Sequence, residues 1–212
     1  MFFHKLLNTR SRYATIMAAL PLLLMFYQQP AIAEQAGDAH HEHHHHHAAP
    51  AGVERSEAAY TVPNVTMVNQ QGQKVSLTKL LDTDQPVMLN FIFTSCTAIC
   101  PAMSATFASV QNKLGSDSEK MRMISISIDP EYDTPDALSA YAKRFKAGPQ
   151  WEFLTGSLDD SVAVQKAFDA DRGDKMNHAP MTLMRARPDS QWIRYEGFAK
   201  ADVLAKEIRG ML

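Results

Sequence analysis

The chain has 212 residues, with 21 Lys or Arg against 23 Asp or Glu and a formal net charge of −2. Charge this balanced, with lysine and arginine scattered, lacks the basic footprint of a nucleic-acid binder and excludes that partner. Two cysteines make no disulfide framework, so packing must hold the fold; the ~155 residues left after about 50 of leader and tail can bury roughly two-thirds of their unfolded surface.

The chain opens with Lys5, Arg10 and Arg12, followed by an apolar stretch from Ala14 to Tyr27. That stretch is short for a membrane span of about 20 residues. Ala31-Ile32-Ala33 then fits a small-x-small cleavage site, so residues 1–33 read as an export signal that leaves Glu34 as the new terminus. The competing reading is an uncleaved anchor from Ala14 to Ala33, giving membrane contact. Either way the expected location is the periplasm, free or tethered to the inner membrane. Residues 34–55 read as a disordered linker rich in histidine: His40, His41, His43, His44, His45, His46 and His47, interrupted by Glu42. Imidazoles in that density form a secondary metal tract of poor selectivity, since nothing fixes their geometry.

The folded domain is expected over residues 56–212. Val62 to Val68 and Val75 to Leu80 flank a turn at Gln71-Gly72-Gln73, an opening hairpin. Val87 to Phe93 is almost wholly apolar, as a buried central strand would be. Pro101 to Leu114 reads as a helix with proline at its first position and Gly115 beyond its end. Met121 to Ile128 is the next strand. Thr134-Pro135-Asp136 starts a second helix, with Leu138, Tyr141, Ala142 and Phe145 as its apolar stripe and Gly148-Pro149 as its stop. Trp151 to Leu154 is a short strand and Asp159 to Asp171 a helix. Met181 to Arg185 and Trp192 to Gly197 make a hairpin, and Leu204, Ile208 and Leu212 give the last helix a buried face. Strands alternating with helices predict an α/β fold, a central sheet with parallel βαβ units covered on both faces and an N-terminal hairpin.

The two cysteines sit together as Cys96-Thr97-Ala98-Ile99-Cys100-Pro101, just past a central strand, where open α/β sheets place their sites. Pro101 disfavours helical geometry at Cys100, so both thiols are expected on the loop that feeds the helix. Three intervening residues permit either a disulfide or two thiolates on one ion. Outside the cytoplasm such a pair oxidises unless metal or a reductant intervenes, and the positive end of the following helix favours the thiolate. Two thiolates hold Cu(I); an added imidazole makes a site that holds both Cu(I) and Cu(II). Past the tract the chain has one histidine, His178, directly before a strand in a loop that can face the cysteines.

Other residues have a functional and a plainer reading. Asp129 and Asp133 are either carboxylates supporting the site or turn and cap chemistry. Met103, Met176 and Met181 offer thioether sulfur, but methionine is commonly core filler. Trp151 and Trp192 read as core or interface aromatics. Thr94 sits where a peroxidase would orient peroxide, yet no arginine is spaced to complete such a site.

Phe93 to Pro101 (FTSCTAICP), Ser127 to Pro135 (SIDPEYDTP) and His178 together resemble the Sco/SenC family, from about Tyr60 to the C-terminus. The resemblance implies a thioredoxin-like fold and a metallochaperone role in assembling the dinuclear copper centre of cytochrome c oxidase or a related copper enzyme. It implies Cys96 and Cys100 as copper thiolates and His178 as third ligand, with a copper-receiving oxidase subunit or other copper enzyme as partner. The family commonly has an acidic residue before its histidine and a hydroxyl residue after it; Asn177 and Ala179 stand there instead. Ala179-Pro180-Met181-Thr182 resembles the cis-proline loop of thioredoxin-type reductases. The alternative activity is therefore thiol–disulfide reduction of a partner's copper-site cysteines by the Cys96/Cys100 pair, served by a thioredoxin-like reductant.

Overall fold

The computed structural model describes residues 52–212. The expected signal or anchor and the histidine tract lie outside the described residues. Among the described residues no helix is long and apolar enough to cross a membrane.

Eight strands form one mixed sheet in the order β1-β8-β7-β4-β5-β6-β2-β3. At its centre β4 (Val87–Ile92) pairs in parallel with β5 (Arg122–Ser127), and β5 pairs in parallel with β6 (Trp151–Thr155). The crossovers carry α2 (Ile99–Leu114) and α3 (Pro135–Arg144), the βαβ connection that parallel strands require. Every residue of β4 is buried, which explains a run that is apolar except for Asn90, whose Oδ1 accepts the Ser125 hydroxyl at 2.7 Å. On one side β7 (Met181–Arg185) pairs antiparallel with β4 and with β8 (Trp192–Glu196). On the other, β2 (Thr66–Asn69) and β3 (Lys74–Ser76) form the expected hairpin against β6. Gly72 turns it at φ 78°, while Asn69 Oδ1 accepts the amides of Gln71 and Gln73 at 3.1 and 2.9 Å. The thioredoxin-like α/β architecture read from the sequence is present, with a central mixed sheet flanked by helices.

Several boundaries differ from those expected. A strand β1 (Glu54–Ala58) begins inside the segment read as linker and pairs antiparallel with β8, from Glu54↔Glu196 to Ala58↔Trp192. Its residues ERSEA are polar and largely exposed, so it carries no hydrophobic alternation; it is held by the ladder and by Arg55, which pairs with Glu207 at 3.1 Å. Val62 to Val65 is not strand, and Leu77–Leu81 is a short helix, α1. Ser76 Oγ accepts the Lys79 amide at 3.4 Å there and turns an apparent strand into a capped helical turn. The helix α4 (Leu158–Ala167) ends before Asp171. Asp169 adopts φ 50° just past it, a left-handed geometry in which Asp is enriched. In α5 (Ala201–Met211) Leu204, Ala205 and Ile208 are buried, but Leu212 is 47% exposed at the chain end.

The core is aromatic: Trp151, Trp192, Phe107, Phe153 and Phe168 are fully buried. Trp151 stacks on Phe153 at 5.0 Å between ring centroids, and its indole N–H donates to Ser125 Oγ at 2.9 Å. Both tryptophans are thus core residues, each burying an area that dominates local packing energy.

Candidate metal centre

β4 ends at Ile92, and the chain leaves the sheet at Phe93 into the cysteine loop. The Cys96 amide donates to the Phe93 carbonyl at 3.2 Å. The helix then begins at Ile99, two residues earlier than expected, so Cys100 lies in its first turn rather than on the loop. Pro101 does not prevent this, because a proline in the first turn removes only an amide that has no partner within the helix. Cys96 remains on the loop, and its sulfur accepts the Cys100 amide at 3.3 Å. The buried Cys100 sulfur accepts the Phe93 amide at 3.4 Å.

His178 arrives on the loop before β7, the antiparallel neighbour of β4, whose start lies at the end of the sheet where β4 stops. A short 3₁₀ turn over Lys175–Asn177 is capped by Asp174, whose Oδ1 accepts the Met176 amide at 2.8 Å. His178 Nδ1 lies 2.9 Å from the Lys175 carbonyl. A carbonyl can only accept, so Nδ1 carries the proton and the lone pair is on Nε2. Nε2 sits 3.2 Å from Cys100 Sγ. Phe93 packs edge-on against the imidazole with ring centroids 5.1 Å apart.

The donor atoms of Cys96, Cys100 and His178 lie within 4.8 Å of one another. Two donors on one ion at about 2.3 Å each stand no more than about 4.6 Å apart, so the three atoms need shift only slightly to share an ion. Among the described residues this is the one group of three or more His, Cys, Asp and Glu ligand atoms so gathered. The cavity bordering His178 is small, about 80 Å³. Neither cysteine lines it, so it lies beside the donor cluster rather than within it.

The two thiols are electrostatically unlike. At Cys96 partial burial disfavours the thiolate, but hydrogen bonds from the backbone amides of Cys100, Ala98 and Ile99 outweigh it, and the pKa falls below that of a free thiol. At Cys100 burial dominates and pushes the thiol pKa up strongly, with the neighbouring Cys96 adding to the rise and the Phe93 amide opposing it. Burial lowers the pKa of His178, against the bond to the Lys175 carbonyl, which keeps the ring neutral and able to ligate.

The remaining sequence candidates fall outside the cluster. Asp133 is fully buried and accepts from the Thr94 amide at 3.1 Å, the Thr94 hydroxyl at 2.6 Å and the Ser127 hydroxyl at 2.6 Å. Thr94 is thereby committed to Asp133 rather than to peroxide. Asp129 pairs with Lys175 Nζ at 2.6 Å. Met103 and Met181 are buried, whereas Met176 is 71% exposed beside the histidine loop. The Ala179–Pro180 bond is trans, as are all peptide bonds among the described residues, so the likeness to a cis-proline loop does not extend to its geometry. Lys175 was not legible as a site residue; its carboxylate partner is 46 positions away, and no local pattern announces the pair.

The SCO1/SenC family model matches residues 53–212. A SCO1 protein homolog of Bacillus subtilis is 40% identical over 104 residues, covering 49% of this chain and 53% of that protein. The solved structure of BsSco, a member of the Sco family of cytochrome c oxidase assembly proteins, has a TM-score of 0.61 at 30% identity, covering 74% of this chain and 95% of that one. Bradyrhizobium japonicum ScoI with copper bound shares the fold at a TM-score of 0.61 and 23% identity, covering 73% of this chain and 100% of that one. The chain spans about half the length of the first curated relatives it matches, 53% and 51%. The chain belongs to the SCO1/SenC family.

Proposed function

We propose that this SCO1/SenC-family chain is an exported copper metallochaperone that binds copper through Cys96, Cys100 and His178 and passes it to the dinuclear copper centre of cytochrome c oxidase or a related copper enzyme. The observation that carries the reading is the convergence of two sulfurs and one imidazole lone pair within 4.8 Å. Soft thiolates select Cu(I), and the imidazole lets the same site hold Cu(II). Structural zinc sites are almost always closed by four ligands, and this cluster supplies three. Copper bound in the Bradyrhizobium relative, and the family to which BsSco is assigned, lend support by analogy.

In this reading residues 1–33 are a signal or anchor that delivers the chain to the periplasm. Residues 38–47 collect divalent metal through His40, His41 and His43 to His47. The described chain enters the fold at the donor end of the sheet: Glu54 pairs with Glu196, which pairs with Met181, three residues beyond His178.

A second reading is favoured by the inequality of the two thiols. Cys96, partly exposed and with a lowered pKa, suits a nucleophile; Cys100, buried, suits the resolving thiol. The same pair would then keep a partner's copper-site cysteines reduced, and be recycled by a thioredoxin-like reductant.

The deciding experiment is a copper titration under reducing, anaerobic conditions on the full chain. It compares the parent with Cys96→Ser, His178→Ala and a form whose seven tract histidines are alanine. The tract form keeps one tightly held Cu(I) while binding fewer divalent ions, and Cys96→Ser loses the tight site. A tight site that survives Cys96→Ser, or vanishes with the tract, contradicts the proposal.

A further inference from the structure

The segment from Ser127 to Thr134 joins the two halves of the donor cluster without contributing a ligand. From the cysteine side, the Thr94 amide and hydroxyl both donate to the Asp133 carboxylate, which also receives the Ser127 hydroxyl. Ser127 Oγ in turn accepts the Asp129 amide at 3.0 Å, and the Asp133 amide donates to the Asp129 carbonyl at 2.9 Å. The Asp129 carboxylate holds Lys175 Nζ at 2.6 Å. Lys175 closes the path, because its carbonyl accepts both the His178 amide at 3.2 Å and the His178 ring N–H at 2.9 Å. Thr94 lies two residues before Cys96. An unbroken line of polar contacts therefore runs from the cysteine loop to the imidazole.

We propose that this segment is a brace that sets the spacing of the donors, in which Asp133 positions the cysteine loop and Asp129, acting through Lys175, positions His178. The inference rests on the copper-site reading and assigns new roles to residues that touch no donor atom. The chemistry selects the residue types. Asp133 faces three donors, and a carboxylate presents two accepting oxygens where an amide presents one. A buried anion is costly unless fully hydrogen-bonded, and here two of the three bonds come from Thr94, just past the strand that launches the cysteine loop, and the third from Ser127 at the end of β5. Asp129 is 5% exposed while the Lys175 side chain is 32% exposed, so the ion pair is half-buried with its carboxylate on the protein side. The Lys175 ammonium also lies 4.9 Å from the Tyr132 ring centroid and 5.7 Å from that of Phe93. Its side chain thus grips the brace while its backbone fixes the histidine tautomer. The Lys175 carbonyl is the direct partner of His178, and loss of such a partner commonly changes metal affinity about 10–100-fold; Asp129 and the Lys175 side chain act by holding that carbonyl in place.

The two carboxylates differ in what they control, which separates this proposal from a general role in stability. In the full chain with tract histidines replaced by alanine, Asp129→Asn and Lys175→Met weaken Cu(I) binding about tenfold by chelator competition. Both remove the nitrogen from the copper shell seen by X-ray absorption and leave the alkylation rate of copper-free Cys96 at the parental value. Lys175→Arg retains the nitrogen. Asp133→Asn does the reverse: the nitrogen stays and Cys96 alkylation changes several-fold. Should Asp133→Asn fail to fold, Thr94→Val, which deletes only the hydroxyl donor, carries the same expected change. Parental affinity and a parental nitrogen signal in both Asp129→Asn and Lys175→Met overturn the brace. So does an equal disturbance of Cys96 by every variant. A parent that holds no Cu(I) at its cysteines overturns the copper reading itself, and the brace with it.

Discussion

Cys96 and Cys100 carry the same thiol in opposite surroundings. Three backbone amides converge on the first, whereas the second is sealed beneath the helix start. Iodoacetamide at neutral pH should therefore modify Cys96 at least about tenfold faster than Cys100, since the thiolate is the nucleophile and access decides the rest; peptide mass spectrometry resolves the two sites, and equal rates contradict the assigned asymmetry. His178 adds a pH dependence with a definite sign. Its folded pKa is lowered from 6.5 by burial. As pH falls the unfolded chain takes up the proton first, so this group's contribution to stability is full above about pH 6.5 and declines below it. His178→Gln should lose less stability than the parent between pH 7.5 and pH 5.5, read from urea midpoints; an identical loss in both contradicts it. At this scale the sequence exposed the three clustered residues, the proposed ligands, because cysteine is scarce and His178 stands alone after the tract. It did not expose Lys175, whose role depends on a contact made only by the fold.

The start of α3 was legible, because capping is local chemistry. Thr134 Oγ1 accepts the Ala137 amide at 3.2 Å, with Pro135 in the first turn of α3, and Ser157 Oγ caps α4 by accepting the Asp160 amide at 3.1 Å. Thr134→Ala should cost about 1 kcal/mol of stability without changing the number of copper ions held; a larger loss accompanied by lost copper would mean that the cap also supports the adjoining Asp133. The start of α2 misled, since proline's restriction on the preceding residue was weighed without the freedom of a helix's first turn. Strand β1 escaped for a different reason. A polar edge strand has no buried face to impose a pattern, and only its pairing with β8 defines it.

Across the whole molecule, the alternation of strands and helices foretold the class of fold, and the run from Val87 to Phe93 marked its centre. Strand order was not readable: nothing local says that β7 inserts beside β4 and so carries His178 to the cysteines. The fold's stability rests on its aromatic core, and Trp151→Ala, which empties a fully buried site, should cost about 3–5 kcal/mol in urea unfolding. A loss under 1 kcal/mol would mean that the core is not packed as described. The central claim is that Cys96, Cys100 and His178 bind one copper ion together. Copper X-ray absorption on the reduced, Cu(I)-loaded chain, with the tract histidines replaced by alanine, tests it most directly. The account predicts a first shell of two sulfurs and one nitrogen, with the nitrogen lost in His178→Ala; a shell without sulfur, or one unchanged by that substitution, contradicts it.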